Sequence, residues 1–195
     1  MPSLYITHPE VVIDPAVPMP RWELSEIGTA RARAFASRGC VPMGWPIFAS
    51  TERKAVELAH ILAEVSGGEV IEDEAMGEND RSATGFLPPG RFEAVVAQFF
   101  GDPDSRPEGW ESARDAQQRI VGAVGRALKQ GGAEAVFCGH GAVGTLLKCH
   151  VGSRAITQQE DQRVIASKGG GNCFRFELEP PRLIRDWVSM EEFER

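Results

Sequence analysis

Short apolar runs alternate with longer stretches of helical periodicity along this chain, and that alternation constrains the fold more than any other feature. Ser3–Thr7 (SLYIT), Trp45–Ser50 (WPIFAS) and Ala133–Cys138 (AEAVFC) have strand length and few polar positions. Runs of that kind suit strands buried on both faces. Between them lie helical patterns. One begins after Ser25, a side chain suited to cap free amides, carries Ile27, Ala30, Ala34 and Phe35, and stops at Gly39. A second covers residues 51–65, with Val56, Ala59, Ile61 and Leu62 inward and Gly67-Gly68 as its stop. A short helix is expected over Arg91–Phe100. The clearest covers Glu111–Lys129, where Ala116, Ile120, Val121, Val124 and Leu128 form one stripe. Another follows over Ala142–Val151. Glu69–Ile71 reads as a third, short strand, and Asn172–Leu178 and Leu183–Val188 as late ones. The Pro-rich stretch 9–23 and the polar stretches 72–90 and 153–170 read as loops. Strands alternating with helices predict an α/β fold: a three-layer αβα sandwich with a mostly parallel central sheet.

A chain of 195 residues suits a single domain spanning 1–195, with a short cap-like insertion around 73–110. The hydrophobic share of 42% is enough for a core and argues against disorder. No apolar run reaches the roughly 20 residues of a membrane span. The N-terminus shows no basic segment followed by an apolar one, so a cytoplasmic location is expected. A net charge of −7, with no Lys/Arg block, argues against nucleic acid as a partner. An anion could be held only at a local site, against the field of the whole chain. Cys40, Cys138, Cys149 and Cys173 are scattered and read as buried small hydrophobes. Cys138, His140, Cys149 and His150 lack zinc-site spacing, so no metal and no cofactor is expected.

In a parallel sheet, ligands collect at the carboxyl ends of the strands. Here those ends carry Thr7-His8-Pro9, Ser50-Thr51-Glu52-Arg53 and Gly139-His140-Gly141. Residues 139–144 also spell GxGxxG, with Glu160 and Asp161 about 20 residues on, as in dinucleotide-binding folds. That reading fails in context. The acids sit in TQQEDQR, which is not strand-like; the middle position is a bulky His; and only 51 residues follow Gly144. Gly169–Asn172 (GGGN) precedes a strand and reads as a turn. His60 and His150 read as surface residues. The tryptophans read as packing, with Trp22 and Trp110 candidates to line a pocket.

Taken in order, the strand-end segments resemble a known family. They are Tyr5-Ile6-Thr7-His8, Trp22–Ala32 (WELSEIGTARA), Phe48–Ala55 with Arg53, and Val136–Gly141, while Gly109–Arg119 (GWESARDAQQR) is similar to a further stretch of that family. The likeness is to the histidine phosphatase superfamily, the phosphoglycerate-mutase-like fold, and runs from about Leu4 to Leu178. It implies a phosphomonoester hydrolase without cofactor. His8 would be the nucleophile, forming a phosphohistidine that water hydrolyses. Arg53, Arg21, Thr7, His140 and Gly141 would join His8 in holding the phosphate. Glu78 would be the proton donor, with Glu74 and Asp80 as rivals. Mutase activity is less expected, since the small cap suggests an open site for a phosphorylated small molecule or phosphoprotein.

The family pattern Arg-His-Gly reads Thr7-His8-Pro9 here. Losing one charge-assisted contact costs ~1.5–3 kcal/mol, roughly 10- to 150-fold. Arg21 is the expected substitute, with Arg163 and Lys168 as alternatives. The alternative function is a weak or inactive phosphate-binding member of the same fold. A homodimer could form by pairing of the late strands.

Overall fold

The computed structural model describes residues 2–132 and 134–194. The strands are β1 (Ser3–Thr7), β2 (Ile47–Ala49), β3 (Val70–Glu72), β4 (Val136–Gly139), β5 (Asn172–Glu177) and β6 (Arg182–Ser189). The helices are α1 (Glu26–Ser37), α2 (Arg53–Ser66), α3 (Pro89–Gly101), α4 (Ala113–Gly131), α5 (Gly141–Val151) and the single turn α6 (Gln162–Ile165). The expected loop at 153–170 therefore contains helix. Ala133, where the fourth strand was expected to begin, lies outside the described residues.

One six-stranded sheet runs in the order β3-β2-β4-β1-β5-β6. Strands β3, β2, β4 and β1 are parallel, and β5 is antiparallel to both of its neighbours. Period-2 alternation divides the core by face. Leu4, Ile6, Ile47, Ala49, Val136 and Cys138 pack with buried residues of α1 and α2. Tyr5, Phe48, Phe137, Phe174 and Phe176 pack with those of α3, α4 and α5. This is the expected α/β sandwich of three layers. All four cysteines are buried and free.

The face of α1 differs from the one its periodicity predicts. Gly28, Ala32, Phe35 and Ala36 are buried, while Ile27 is 66% exposed. The reason is a close backbone approach. A Cβ at position 28 would stand 2.2 Å from the Glu10 carbonyl oxygen, so only glycine lets α1 lie against the segment after His8. Ser25 caps the helix through Gly28 N, and its own N–H donates to Glu10 O.

Candidate active site

Both histidines stand at the carboxyl ends of adjacent strands, β1 and β4. Their rings meet edge to face with centroids 5.3 Å apart. His8 is half-buried and its backbone is fixed: its N–H donates to Gly139 O, and its carbonyl accepts from Gly171 N. The ring Nδ1 lies 2.9 Å from Pro9 O. A carbonyl only accepts, so Nδ1 carries the proton and Nε2 keeps the lone pair. Burial, then His140 and Lys54, push the His8 pKa down to about 3, so the ring is neutral across ordinary pH.

His140 is buried, and Tyr5 holds its backbone. The Tyr5 hydroxyl accepts the His140 N–H at 3.0 Å and donates to its carbonyl at 3.1 Å. This accounts for the glycine pattern around it. A Cβ on Gly139 would lie 2.2 Å from the Tyr5 oxygen, and one on Gly144 2.5 Å from its ring. The first and last glycines of the GxGxxG spacing therefore make room for a tyrosine. His140 Nε2 is 2.8 Å from Ser50 Oγ and 3.4 Å from Glu52 Oε1, and its Nδ1 has no partner. Burial lowers the His140 pKa against the opposing pull of Glu52 and Glu78.

Glu78 occupies the N-terminus of α5. Its carboxylate accepts Ala142 N–H and Val143 N–H, the first amides of α5, at 3.2 and 3.1 Å. Burial alone would raise its pKa, but Arg81, His140 and the Asn79 N–H outweigh burial and hold it below the usual carboxylate range. Its rivals stand apart. Glu74 and Asp80 are exposed, and the Asp80 carboxylate accepts Ser82 N–H. Arg119 holds the loop that carries Glu78, donating to the carbonyls of Ala75, Gly77 and Glu78 and, as a fork, to Glu111.

The cations are arranged differently from the expectation. Arg53 points outward, 54% exposed and paired with Glu57 at 2.8 Å and with Glu23. One position further round the first turn of α2, Lys54 turns inward. It is buried, bonds Met19 O at 2.9 Å, pairs with Glu52, and its charge acts on both histidines. Adjacent helix positions are about 100° apart, so at most one of the two can face the site. Arg53→Ala should leave turnover and phosphate affinity within about twofold. Lys54→Met should weaken phosphate binding roughly 10- to 100-fold, in line with loss of a charge-assisted contact; titration calorimetry with phosphate reads both.

Arg21 is exposed on the turn Met19–Arg21 and lines neither pocket beside His8. The Thr7 hydroxyl is buried and engaged within the fold. It donates to Gln162 Oε1 at 2.7 Å and accepts Asn172 N–H at 2.9 Å, tying β1 to the late loop. Gly141 lines the smaller pocket; a side chain there would meet Gln162. Arg163 lines that pocket too but is paired with Asp161 and Glu93, while exposed Lys168 lines the larger one. Glu52 and Lys54 stand close to the paired histidines and Arg81 lines the pockets beside His8, and none of the three was among the candidates named from sequence. Arg81 lies in the same Glu-Asn-Asp-Arg segment as Glu78, stacks over Phe92 and Trp110, and lines both pockets.

The smaller pocket, about 180 Å³, brings His8, Glu78, Asn79, Arg81 and Gln162 together, and the Asn79 Nδ2 there is buried without a partner. The larger, about 440 Å³, opens outward from His8 between Trp22, Phe86 and Phe92. Among the described residues, no group of three or more His, Cys, Asp and Glu side chains could hold a metal ion, and no helix is long and apolar enough to cross a membrane.

This architecture, a mostly parallel six-stranded sheet between two layers of helices, is that of the histidine phosphatase fold. The profile of the histidine phosphatase superfamily (branch 1) matches residues 19–183, and the chain belongs to that superfamily. His8 itself precedes the matched stretch. The fold is similar to a mycobacterial glucosyl-3-phosphoglycerate phosphatase, with 20% identity over 96% of this chain and 98% of that one and a TM-score of 0.75. It is similar to Bacillus stearothermophilus YhfR, with 17% identity over 94% of each chain and a TM-score of 0.72. It also resembles a mutant phosphoserine phosphatase from Entamoeba histolytica in complex with phosphoserine, with 14% identity over 99% of each chain and a TM-score of 0.73. No curated protein matches the sequence.

Proposed function

We propose that the chain hydrolyses a phosphomonoester through a phosphohistidine on His8. The observation that carries this reading is the His8 Nδ1–H held by Pro9 O, which fixes the tautomer with the lone pair on Nε2, beside His140 and Glu78. In the first step Nε2 attacks phosphorus and the P–O bond to the alcohol breaks. Arg81 and Lys54 offset charge on the non-bridging oxygens, and His140 and the Asn79 amide complete the donor set. In the second step water attacks the phosphohistidine, the P–N bond to His8 Nε2 breaks, and the proton that water loses passes through Glu78 to the phosphate, which leaves as the monoanion and returns His8 and Glu78 to their resting forms.

The leaving oxygen also needs a proton, and Glu78 is ionised in the resting site. The substrate can bring one, because a phosphomonoester dianion takes up a proton near pH 6, by about the value for phosphoserine. A monoanion also suits a site that already holds Glu52 and Glu78. Glu78 takes that proton and passes it to the leaving alkoxide. The pH dependence follows. Below about pH 6 the substrate is in the favoured form, and His8 stays unprotonated down to about pH 3. The kcat/KM for an alkyl phosphate should therefore be several-fold higher at pH 5 than at pH 7.5. A rise towards neutrality, tracking an ordinary imidazole, would contradict this assignment.

A second reading, a phosphate-binding protein without turnover, is favoured by one observation: the Glu52 carboxylate stands 3.4 Å from His140 Nε2, where it repels an incoming dianion. Hydrolysis of a panel of aryl and alkyl phosphates, run beside calorimetric titration with phosphate, separates the two. Turnover supports the hydrolase, and binding without turnover supports the second reading.

A further inference from the structure

We infer that the substrate is the phosphomonoester of an apolar alcohol, aromatic or long-chain aliphatic, whose hydrocarbon part fills the larger cleft. This rests on the reading of His8 as nucleophile, and it adds what the leaving group must be. The cleft of about 440 Å³ is in the size range of small-molecule sites and begins at His8. Val11, Ile13, Trp22, Phe86, Leu87 and Phe92 form much of its wall. Ile13 is 61% and Phe86 37% exposed, so large apolar side chains face solvent beside the nucleophile.

Most of the polar groups on the same wall are already engaged, with exposed Lys168 the exception. The Trp22 indole N–H donates to the carbonyls of Asp14 and Val17, leaving a ring without a free donor. Glu10 is paired with Arg31 and Glu93 with Arg163, both at 2.7 Å. Gln162 gives its Oε1 to Thr7 and Asn172. A sugar, an amino acid or a peptide backbone entering here would bring hydroxyl, ammonium or amide groups that lose water without gaining partners. An alkyl or aryl group loses nothing by entering and gains burial. Arg81 borders both pockets at the inner end, Glu10 and Glu93 are neutralised by their arginine partners, and Lys168 is exposed on the same wall. The site is thus amphiphilic along its length, with the phosphoryl group at His8 and hydrocarbon outward.

Ethyl, butyl and octyl phosphate test this directly, because their leaving groups have similar acidity. The kcat/KM should rise about tenfold for every two added carbons until the cleft is filled. Phe86→Ser, at an exposed position where the fold has least to lose, and Trp22→Ala should each reduce the octyl-to-ethyl ratio several-fold. A flat series, or faster turnover of phosphoserine, glycerol phosphate or a phosphopeptide with apolar flanks, would overturn the assignment and leave the hydrolase reading intact. If no ester is hydrolysed, ethyl and octyl phosphonate are compared by titration. Tighter octyl binding supports the apolar cleft while the hydrolase reading falls, and equal binding rejects the cleft as well.

Discussion

His8→Asn should lower phosphomonoester turnover by at least about 10³-fold, the scale on which removal of a catalytic nucleophile is felt, with a melting temperature close to that of the parent. The asparagine amide can still donate to Pro9 O, so the local hydrogen bond that His8 makes through Nδ1 is preserved. What is removed is the lone pair opposite. Phosphate binding should persist within about tenfold, because Lys54, Arg81 and His140 remain. A turnover loss of only a few-fold would mean that His8 binds but does not attack. Steady-state assays on an alkyl phosphate and a thermal melt, run on the same preparation, read both quantities.

Arg119→Met should be the most damaging change away from the reacting atoms. Arg119 donates to three backbone carbonyls, those of Ala75, Gly77 and Glu78, and binds both oxygens of Glu111 at 2.9 and 2.7 Å. Methionine fills similar space and satisfies none of these. The side chain is 27% and that of Glu111 16% exposed, so the loss is smaller than in a sealed core. An expected cost is about 2–4 kcal/mol, or a fall of about 5–15 °C in melting temperature for a domain of this size. Arg119 is a positioning residue, and activity separates this from mere support of the fold. Assayed where the variant is fully folded, kcat should fall at least about tenfold as Glu78 loses its mount on the N-terminus of α5. Arg119→Lys should recover part of the stability and less of the rate, since one ammonium cannot span the fork. An unchanged kcat beside a lowered melting temperature would assign Arg119 to the fold alone.

The order of strands and helices was legible because each short apolar run is set off by Gly, Pro or polar clusters. The positions of His8 and His140 followed from the rule for strand ends. Glu78 could be named, but its seat at the start of α5 could not, because its partners Ala142 and Val143 are more than sixty residues away. The Arg53–Lys54 exchange shows a different limit. The two cations are neighbours, and which of them turns inward depends on the phase of α2, which is set by Leu58, Ala59 and Leu62 packing against the sheet. The face of α1 was missed for a related reason. Hydrophobicity favoured Ile27, whereas the contact is made by a glycine that no hydrophobic pattern registers. Arg81 was within reach, since it stands three residues after Glu78, where one turn of loop can return a cation to a carboxylate; the two are 3.7 Å apart. The GxGxxG spacing misleads because glycine answers to any close neighbour, and here that neighbour is Tyr5.

Thr7 and Pro9 take on definite tasks in place of the arginine and glycine that the family pattern has there. Thr7 ties β1 to Gln162 and Asn172, and Pro9 supplies the carbonyl that sets the His8 tautomer. In the proposed mechanism, positive charge comes from Lys54 and Arg81, each next to a glutamate. The site is nearly neutral as a whole, in keeping with a monoanionic substrate and an acidic chain.

The phosphoenzyme is the most direct measure of this account. The protein is mixed with a saturating alkyl or aryl phosphate, quenched within milliseconds in alkali, digested and analysed by mass spectrometry. Up to one phosphate per chain is expected, stable to alkali and labile to acid, on the peptide bearing His8, and none in His8→Asn. Turnover with no such label, or with the label on another residue, would contradict it.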